Sequence, residues 1–172
     1  MAGAPGTGKT KLAADLAREL GLPVIHRDTI KEALLDTIGA DDRDTSHELG
    51  RVSYRILYAL ARVILESGNR LIIESNFVRG VSEADLSELL ATGRTARLVH
   101  CQATNEAIKQ RIASRAGRHP QHSDDPREVL EAIKRHDYDP MTLDVETLVV
   151  ETTEGLVPDL PEIVAFCRRS LP

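Results

Sequence analysis

Apolar and polar positions along the chain form two kinds of pattern, short apolar runs and longer stripes with helical spacing. Short runs that fit strands cover residues 23–26, 70–74, 96–101 and 146–151. Residues 71–73 and 148–150 are apolar without alternation, which is typical of strands covered on both faces. Because helical stripes separate the runs, we predict an α/β fold built on a parallel sheet.

The helical stripes have clear starts and stops. Leu12, Leu16 and Leu20 share one face of a helix that Gly21 ends. A long amphipathic helix is predicted over about residues 46–67. Further helices are expected to begin near polar residues at five positions, which are Asp28, Ser82, Thr104, Asp125 and Asp159. The helix after Thr104 is predicted to reach about residue 116.

Composition limits the class of protein. The chain has 172 residues, 41% of them apolar and 3% aromatic, which predicts one domain over residues 1–172 with an aliphatic core. A net charge of −5 disfavours a broad nucleic-acid-binding surface. Cys101 and Cys167 lack metal-site spacing, and Cys101 is predicted to be a core thiol. No apolar run approaches the ~20 residues of a membrane-spanning helix and no signal peptide is found, so we expect a cytoplasmic protein.

The segment that says most about function covers residues 3–10. It reads Gly3, Ala4, Pro5, Gly6, Thr7, Gly8, Lys9 and Thr10. This matches the phosphate-binding loop pattern G-x-x-x-x-G-K-[ST] at every fixed position. The glycines let successive N–H groups face one anion, and the following helix adds its positive N-terminal end. Lys9 can reach the outer phosphates and the Thr10 hydroxyl can bind Mg²⁺, so the loop is predicted to hold a nucleoside triphosphate.

Little sequence stands in front of this loop. Only Met1 and Ala2 precede Gly3, whereas a phosphate-binding loop normally follows a buried strand. We therefore expect the first strand of the sheet to be largely missing from this sequence. We expect about 5–8 apolar residues upstream, the length of a typical strand.

Two carboxylates follow predicted strands, at the edge where open α/β sheets bind their ligands. Asp28 fits either a helix N-cap or the residue that takes a proton from an acceptor hydroxyl and orients Mg²⁺ through water. Glu74 fits the Mg²⁺ side of the site or, alternatively, a charged residue that simply emerges at a strand end. Asn76 and Phe77 follow and fit either an acceptor pocket or a turn.

Three arginines form the last constellation. Arg111, Arg115 and Arg118 are spaced by four and three residues, which predicts one face of a helix or of its continuation. Arginines in that position can stabilise the charge that develops on a transferring phosphoryl group, and Arg115 can also contact the bound nucleotide. The alternative is a solvated helix face. The polar, Gly/Pro-containing segment that follows predicts a lid at about residues 111–126.

Taken together, these motifs resemble a group of small P-loop kinases related to polynucleotide kinase, chloramphenicol phosphotransferase and zeta toxins. The resemblance is carried by residues 3–10, by His-Arg-Asp-Thr-Ile-Lys at 26–31, by Ile-Ile-Glu-Ser-Asn-Phe at 72–77 and by Arg-His-Pro-Gln-His at 118–122. It implies a three-layer P-loop NTPase fold with a parallel sheet in the order 2-3-1-4-5. It also implies ATP and Mg²⁺ as cofactors, and Asp28 as the base.

The sequence therefore predicts an ATP- and Mg²⁺-dependent phosphotransferase. Lys9, Asp28, Arg111, Arg115 and Arg118 are the predicted catalytic residues, and Thr10, Asp28 and Glu74 are the predicted metal-side residues. The expected acceptor is a hydroxyl of a small molecule. A polynucleotide end kinase is one alternative, which the acidic charge disfavours, and an ATPase or switch acting on a protein partner is another.

Overall fold

The structure is a computed structural model in which residues 1–91, 95–115 and 124–169 are described. The elements, in chain order, are α1 (Lys9–Leu20), β1 (Val24–His26), α2 (Arg27–Ile38), α3 (Arg43–Glu66), β2 (Ile72–Glu74), α4 (Glu83–Leu90), β3 (Arg97–Gln102), α5 (Asn105–Ala113), α6 (Pro126–Lys134), β4 (Glu146–Glu151) and α7 (Leu160–Arg168). The four predicted strands are all present, and β4 has the predicted bounds. α5 ends three residues earlier than expected, at Ala113.

The sheet is parallel, and the first two residues of the chain lie in its middle. β1 pairs with β2 and β3 pairs with β4, both in parallel. Between these pairs, the amide of Ala2 donates to the carbonyl of Val99 at 2.9 Å, and the amide of Cys101 donates to Ala2 at 2.8 Å. On the other side, the Met1 ammonium donates to the carbonyl of Ile73 at 2.8 Å. The predicted order 2-3-1-4-5 is therefore confirmed, with Met1 and Ala2 in the first-strand position.

Helices cover both faces of this sheet. On one face, α1 and α7 pack on Val99 and Cys101 of β3 and on Val150 of β4. On the other face, Leu57 of α3 and Leu86 of α4 pack against the strands. Neighbouring strand residues therefore point into opposite cores, as the continuous apolar runs predict. Cys101 is a core thiol as expected, since its side chain is buried and burial raises its pKa to about 11.

Several helix ends follow the local rules that the sequence suggests. Gly21 ends α1 in the left-handed conformation. Asp125 caps α6 with Pro126 in the first turn, and Thr104 caps α5 through the amide of Ala107. Asp159 begins α7 with a capping box. Among the residues that the structure describes, no helix is both long enough and apolar enough to cross a membrane.

An apolar cavity of about 340 Å³ lies beside Met1. Its walls include Ile72 of β2, Leu98 of β3 and Leu16 of α1.

Candidate active site

The phosphate-binding loop connects Ala2 to α1 at the carboxyl ends of the strands. Gly3, Gly6 and Gly8 all have positive φ angles, of 138°, 83° and 76°. A Cβ atom at Gly3 would lie 2.3 Å from the carbonyl oxygen of Cys101, and one at Gly6 would lie 3.1 Å from the carbonyl oxygen of Ile108. Both the conformation and the close approach of neighbouring main chain therefore require glycine at Gly3 and Gly6.

Lys9 begins α1 and is buried inside the loop. Its Nζ donates to the carbonyl of Ala4 at 3.2 Å and lies 4.0 Å from Oε1 of Glu74. Burial lowers the pKa of Lys9, and the Glu74 carboxylate opposes that effect. A buried ammonium gains strongly from further negative charge, so Lys9 is suited to bind a polyphosphate.

Glu74 connects the loop to the neighbouring strand ends. Oε2 of Glu74 accepts a hydrogen bond from the Thr10 hydroxyl at 3.4 Å and lies 2.7 Å from Nδ1 of His26. The carboxylate is buried, and His26 is its partner in the pairing of β1 with β2. The interpretation of Glu74 as a solvated strand end is therefore wrong. Sequence reasoning overlooked His26, although parallel strands that end at one edge place their last side chains together.

Thr10 and Glu74 form a set of hard oxygen donors. In the described ranges, no cluster of three or more His, Cys, Asp or Glu side chains forms a ready metal site. Mg²⁺ is commonly held by one or two protein oxygens together with substrate phosphates and water. One carboxylate and one hydroxyl beside a phosphate-binding loop fit that mode of binding.

Asp28 lies in the first turn of α2, close to the loop. His26 is the N-cap residue of this helix, so the interpretation of Asp28 as the cap is wrong. Nη1 of Arg27 donates to Oδ1 of Asp28 at 3.0 Å. The Asp28 side chain is 25% exposed, and Asp28 contributes to the electrostatic environment of Lys9. Asp28 is therefore both near the loop and accessible.

The predicted arginines have different surroundings. Nη1 of Arg111 donates to the carbonyl of Gly6 at 3.2 Å, and Nη2 donates to the carbonyls of Thr152 at 2.6 Å and Thr153 at 3.1 Å. Arg115 follows the end of α5, and its Nη1 donates to Oδ2 of Asp124 at 3.3 Å. Arg111 therefore lies on α5, whereas Arg115 lies on the continuation of the chain beyond the end of that helix. Arg118 and most of the predicted lid lie outside the described residues.

Thr152 is a second residue that sequence reasoning overlooked. Its hydroxyl donates to the carbonyl of Thr7 at 2.8 Å and accepts from Nη1 of Arg111 at 3.2 Å. Together, Arg111 and Thr152 hold the loop through the carbonyl groups of Gly6 and Thr7. A polar residue directly after a predicted strand, at the same edge as the loop, was the available signal.

The described part of the chain also encloses a polar cavity of about 750 Å³. Fifteen residues from α2, α3, α6 and the segments around them line it: Lys31, Asp41, Asp42, Arg43, Ser46, His47, Val78, Asp124, Asp125, Glu128, Val129, Ala132, Arg135, Asp137 and Tyr138. Lys31 lies one helical turn after Asp28, and Asp124 is the partner of Arg115. Phe77 is not among the lining residues but is buried in the core, so the first of its two interpretations, an acceptor pocket, is wrong for this cavity.

Comparison with known proteins identifies relatives of the chain. A family model described as an AAA domain matches residues 1–140. A solved structure described as a "putative kinase" from Chloroflexus aurantiacus is 34% identical, with a TM-score of 0.87, and the match covers 99% of this chain and 96% of that chain. No curated protein matches the chain significantly.

Two further solved structures are similar at lower identity. A sugar kinase from Janibacter sp. HTCC2649 is 18% identical with a TM-score of 0.55, over 94% of this chain and 86% of that chain. A gluconokinase from Sinorhizobium meliloti 1021 is 17% identical with a TM-score of 0.57, over 98% of this chain and 89% of that chain. At these identities the likeness shows a shared fold alone.

Proposed function

This chain belongs to the AAA-domain family of phosphate-binding-loop proteins, and from that premise we propose that it is an ATP- and Mg²⁺-dependent kinase acting on a hydroxyl of a small molecule. The observation that carries the proposal is the position of the polar cavity. Lys31, one helical turn after Asp28, and Asp124 line this cavity, and Asp28 and Asp124 both contribute to the electrostatic environment of Lys9. These positions support an acceptor site that adjoins the nucleotide site, as direct phosphoryl transfer requires.

In this proposal the loop holds ATP. Main-chain amides of the loop and the Lys9 ammonium bind the β- and γ-phosphates. Thr10 and Glu74 hold Mg²⁺, with Asp28 reaching it through water, and the bound ion neutralises charge on the phosphates. Arg111 and Thr152 keep the loop in its binding conformation through the contacts to Gly6 and Thr7.

The transfer step uses Asp28 as the base. The acceptor oxygen bonds to the γ-phosphorus while the bond from that phosphorus to the β,γ-bridging oxygen breaks and ADP leaves. The proton of the acceptor hydroxyl passes to the Asp28 carboxylate. Arg115 and Arg118 close over the transferring group as parts of the predicted lid, with Arg111 behind the loop.

Features of the cavity support a small polar acceptor. Its walls carry both acidic and basic side chains, and Tyr138 is the one aromatic residue among them. Mixed charges and hydroxyls suit a molecule with several hydroxyl groups better than an apolar one. A sugar kinase and a gluconokinase share the fold, and a sugar or sugar acid is therefore the first class to test. We place the reaction in the cytoplasm, where ATP is available.

The test is a screen for ADP release from Mg·ATP with a panel of hydroxylated sugars, sugar acids, nucleosides and antibiotics. We expect one class to stimulate release, and Asp28→Asn to lower that rate by about 10²-fold or more while ATP affinity stays unchanged. Full turnover in Asp28→Asn would refute the assignment of the base. If no small acceptor changes the rate of ADP release but a protein does, an ATPase or switch acting on a protein partner is favoured. If an oligonucleotide raises the rate instead, a polynucleotide end kinase is favoured.

A further inference from the structure

Arg27 is a buried arginine directly beside the proposed base. Its side chain is 11% exposed, and its Nη1 donates to Oδ1 of Asp28 at 3.0 Å. The other end of the guanidinium is fixed by α3. Nε donates to Oγ of Ser53 at 3.0 Å, and the guanidinium carbon lies 4.9 Å from the centre of the Tyr54 ring.

Helical geometry alone does not explain the contact between Arg27 and Asp28. Adjacent residues on a helix point about 100° apart and do not face each other. The contact exists because α3 holds the arginine in place. Ser53 is itself oriented by donating to the carbonyl of Gly50 at 2.7 Å. A Cβ atom at Gly50 would lie 3.3 Å from Nη2 of Arg27, so the absent side chain leaves room for the guanidinium.

We infer that Arg27 is a positioning residue, which transmits the fixed position of α3 to the carboxylate of Asp28. The contacts of Arg27 to Ser53 and Tyr54 of α3, together with its hydrogen bond to Oδ1, hold the carboxylate in one orientation toward the acceptor. The inference rests on the proposed function, because it assigns Arg27 a role only through Asp28.

Stability alone is a weak explanation for this arrangement. The Arg27–Asp28 pair is only partly buried, since the Asp28 side chain is 25% exposed, and such a pair adds little to stability by itself. An ion pair beside a reacting group instead gains its value from orientation, since a misplacement of about 1 Å can cost about 10²-fold in rate. The two explanations make different predictions for kinetics.

The experiment measures steady-state turnover of Mg·ATP with water as the acceptor, which needs no identified substrate. The variants are Arg27→Met, Arg27→Lys, Asp28→Asn and the double variant Arg27→Met/Asp28→Asn. Arg62→Met on the exposed part of α3 is the matched control. Thermal unfolding and ATP affinity are measured for each protein.

We expect Arg27→Met to lower kcat by about 10²-fold with KM for Mg·ATP changed less than about two-fold. Arg27→Lys restores part of the rate, because it returns the charge but not the planar fork. In the Asp28→Asn background, Arg27→Met changes the rate less than about two-fold, since the residue through which it acts is already lost. Arg62→Met behaves as the unmodified protein.

An effect of Arg27→Met that persists in full in the Asp28→Asn background would overturn the inference, and so would an unchanged kcat. If Arg27→Met does not fold, Ser53→Ala takes its place, since it removes one anchor and keeps the charge. We expect Ser53→Ala to lower kcat by less than Arg27→Met does. In the Asp28→Asn background, we expect Ser53→Ala to have no effect on kcat. Asp28→Asn as fast as wild type would instead refute the assignment of the base in the proposed function, and the inference with it.

Discussion

The nucleotide half and the acceptor half of the site are built in different ways. In the nucleotide half, residues 3–10 are held largely through main-chain groups. Arg111 binds the carbonyl of Gly6, and Thr152 binds that of Thr7. In the acceptor half, the cavity is held by pairs of side chains from distant segments, for example Arg43 with Glu128 at 2.5 Å.

This difference shows that phosphate binding resides in the main chain of the loop, whereas the choice of acceptor resides in the side chains of the cavity. Main-chain geometry depends on glycines and on strand ends, so it recurs in any chain that binds phosphates in this way. Side chains of a cavity can change without altering the loop, which is how one fold serves different acceptors. Variants of the first half should therefore affect folding and ATP binding, and variants of the second should affect the acceptor alone.

The largest effect on stability is expected from Gly3→Ala. The new Cβ would meet the carbonyl oxygen of Cys101 at 2.3 Å, at a φ angle of 138°. We expect the free energy of unfolding to fall by at least about 3 kcal/mol, measured by urea titration. Gly68→Ala is the control, because Gly68 also has a positive φ but nothing within 4 Å of the new atom. It should cost only about 1 kcal/mol, and equal losses at the two positions would contradict the close approach.

Arg111 and Arg115 give the next comparison. Arg111→Met removes charged hydrogen bonds to three carbonyl groups behind the loop. We expect it to lower the free energy of unfolding by about 2 kcal/mol and to weaken ATP binding. Arg115→Met removes one contact to Asp124, and we expect slower turnover with little change in stability. Urea titration measures the free energy of unfolding of both variants, and calorimetry measures their ATP affinity. If Arg115→Met loses as much stability as Arg111→Met, the two arginines do not have different roles.

The smallest effect is expected from His47→Trp in the acceptor half. His47 is an exposed residue that lines the polar cavity, so a larger side chain there fills space without disturbing the core. We expect acceptor-stimulated ADP release to fall by about 10-fold at constant ATP affinity. A change in ATP affinity, with acceptor use intact, would show that the cavity belongs to the nucleotide half.

The same contrast explains what could be predicted from the sequence. The loop was predictable because its glycines and Lys9 fulfil fixed geometric needs at fixed spacing. Glu74 was predictable because it ends an apolar strand. The strands and the sheet order followed from the apolar runs and the resemblance, and Met1 and Ala2 occupy the expected central position.

Other features depend on contacts between residues far apart in the chain. Arg27 is held by Ser53 and Tyr54, and no local pattern connects these residues. The end of α5 before Arg115 was missed because periodicity alone does not determine where a helix stops. The place of Phe77 after Glu74 left an acceptor pocket and a turn equally open, and only packing shows that its side chain lies in the core.

The central claim is that residues 3–10 bind a triphosphate, with Lys9 as the charged partner. Isothermal titration calorimetry of the folded protein with ATP, with and without Mg²⁺, tests it most directly. We predict Mg²⁺-dependent binding at one site, which Lys9→Ala weakens by at least about 10-fold and Asp28→Asn leaves intact. Folded protein that takes up no ATP, or that binds it equally well after Lys9→Ala, would contradict the account.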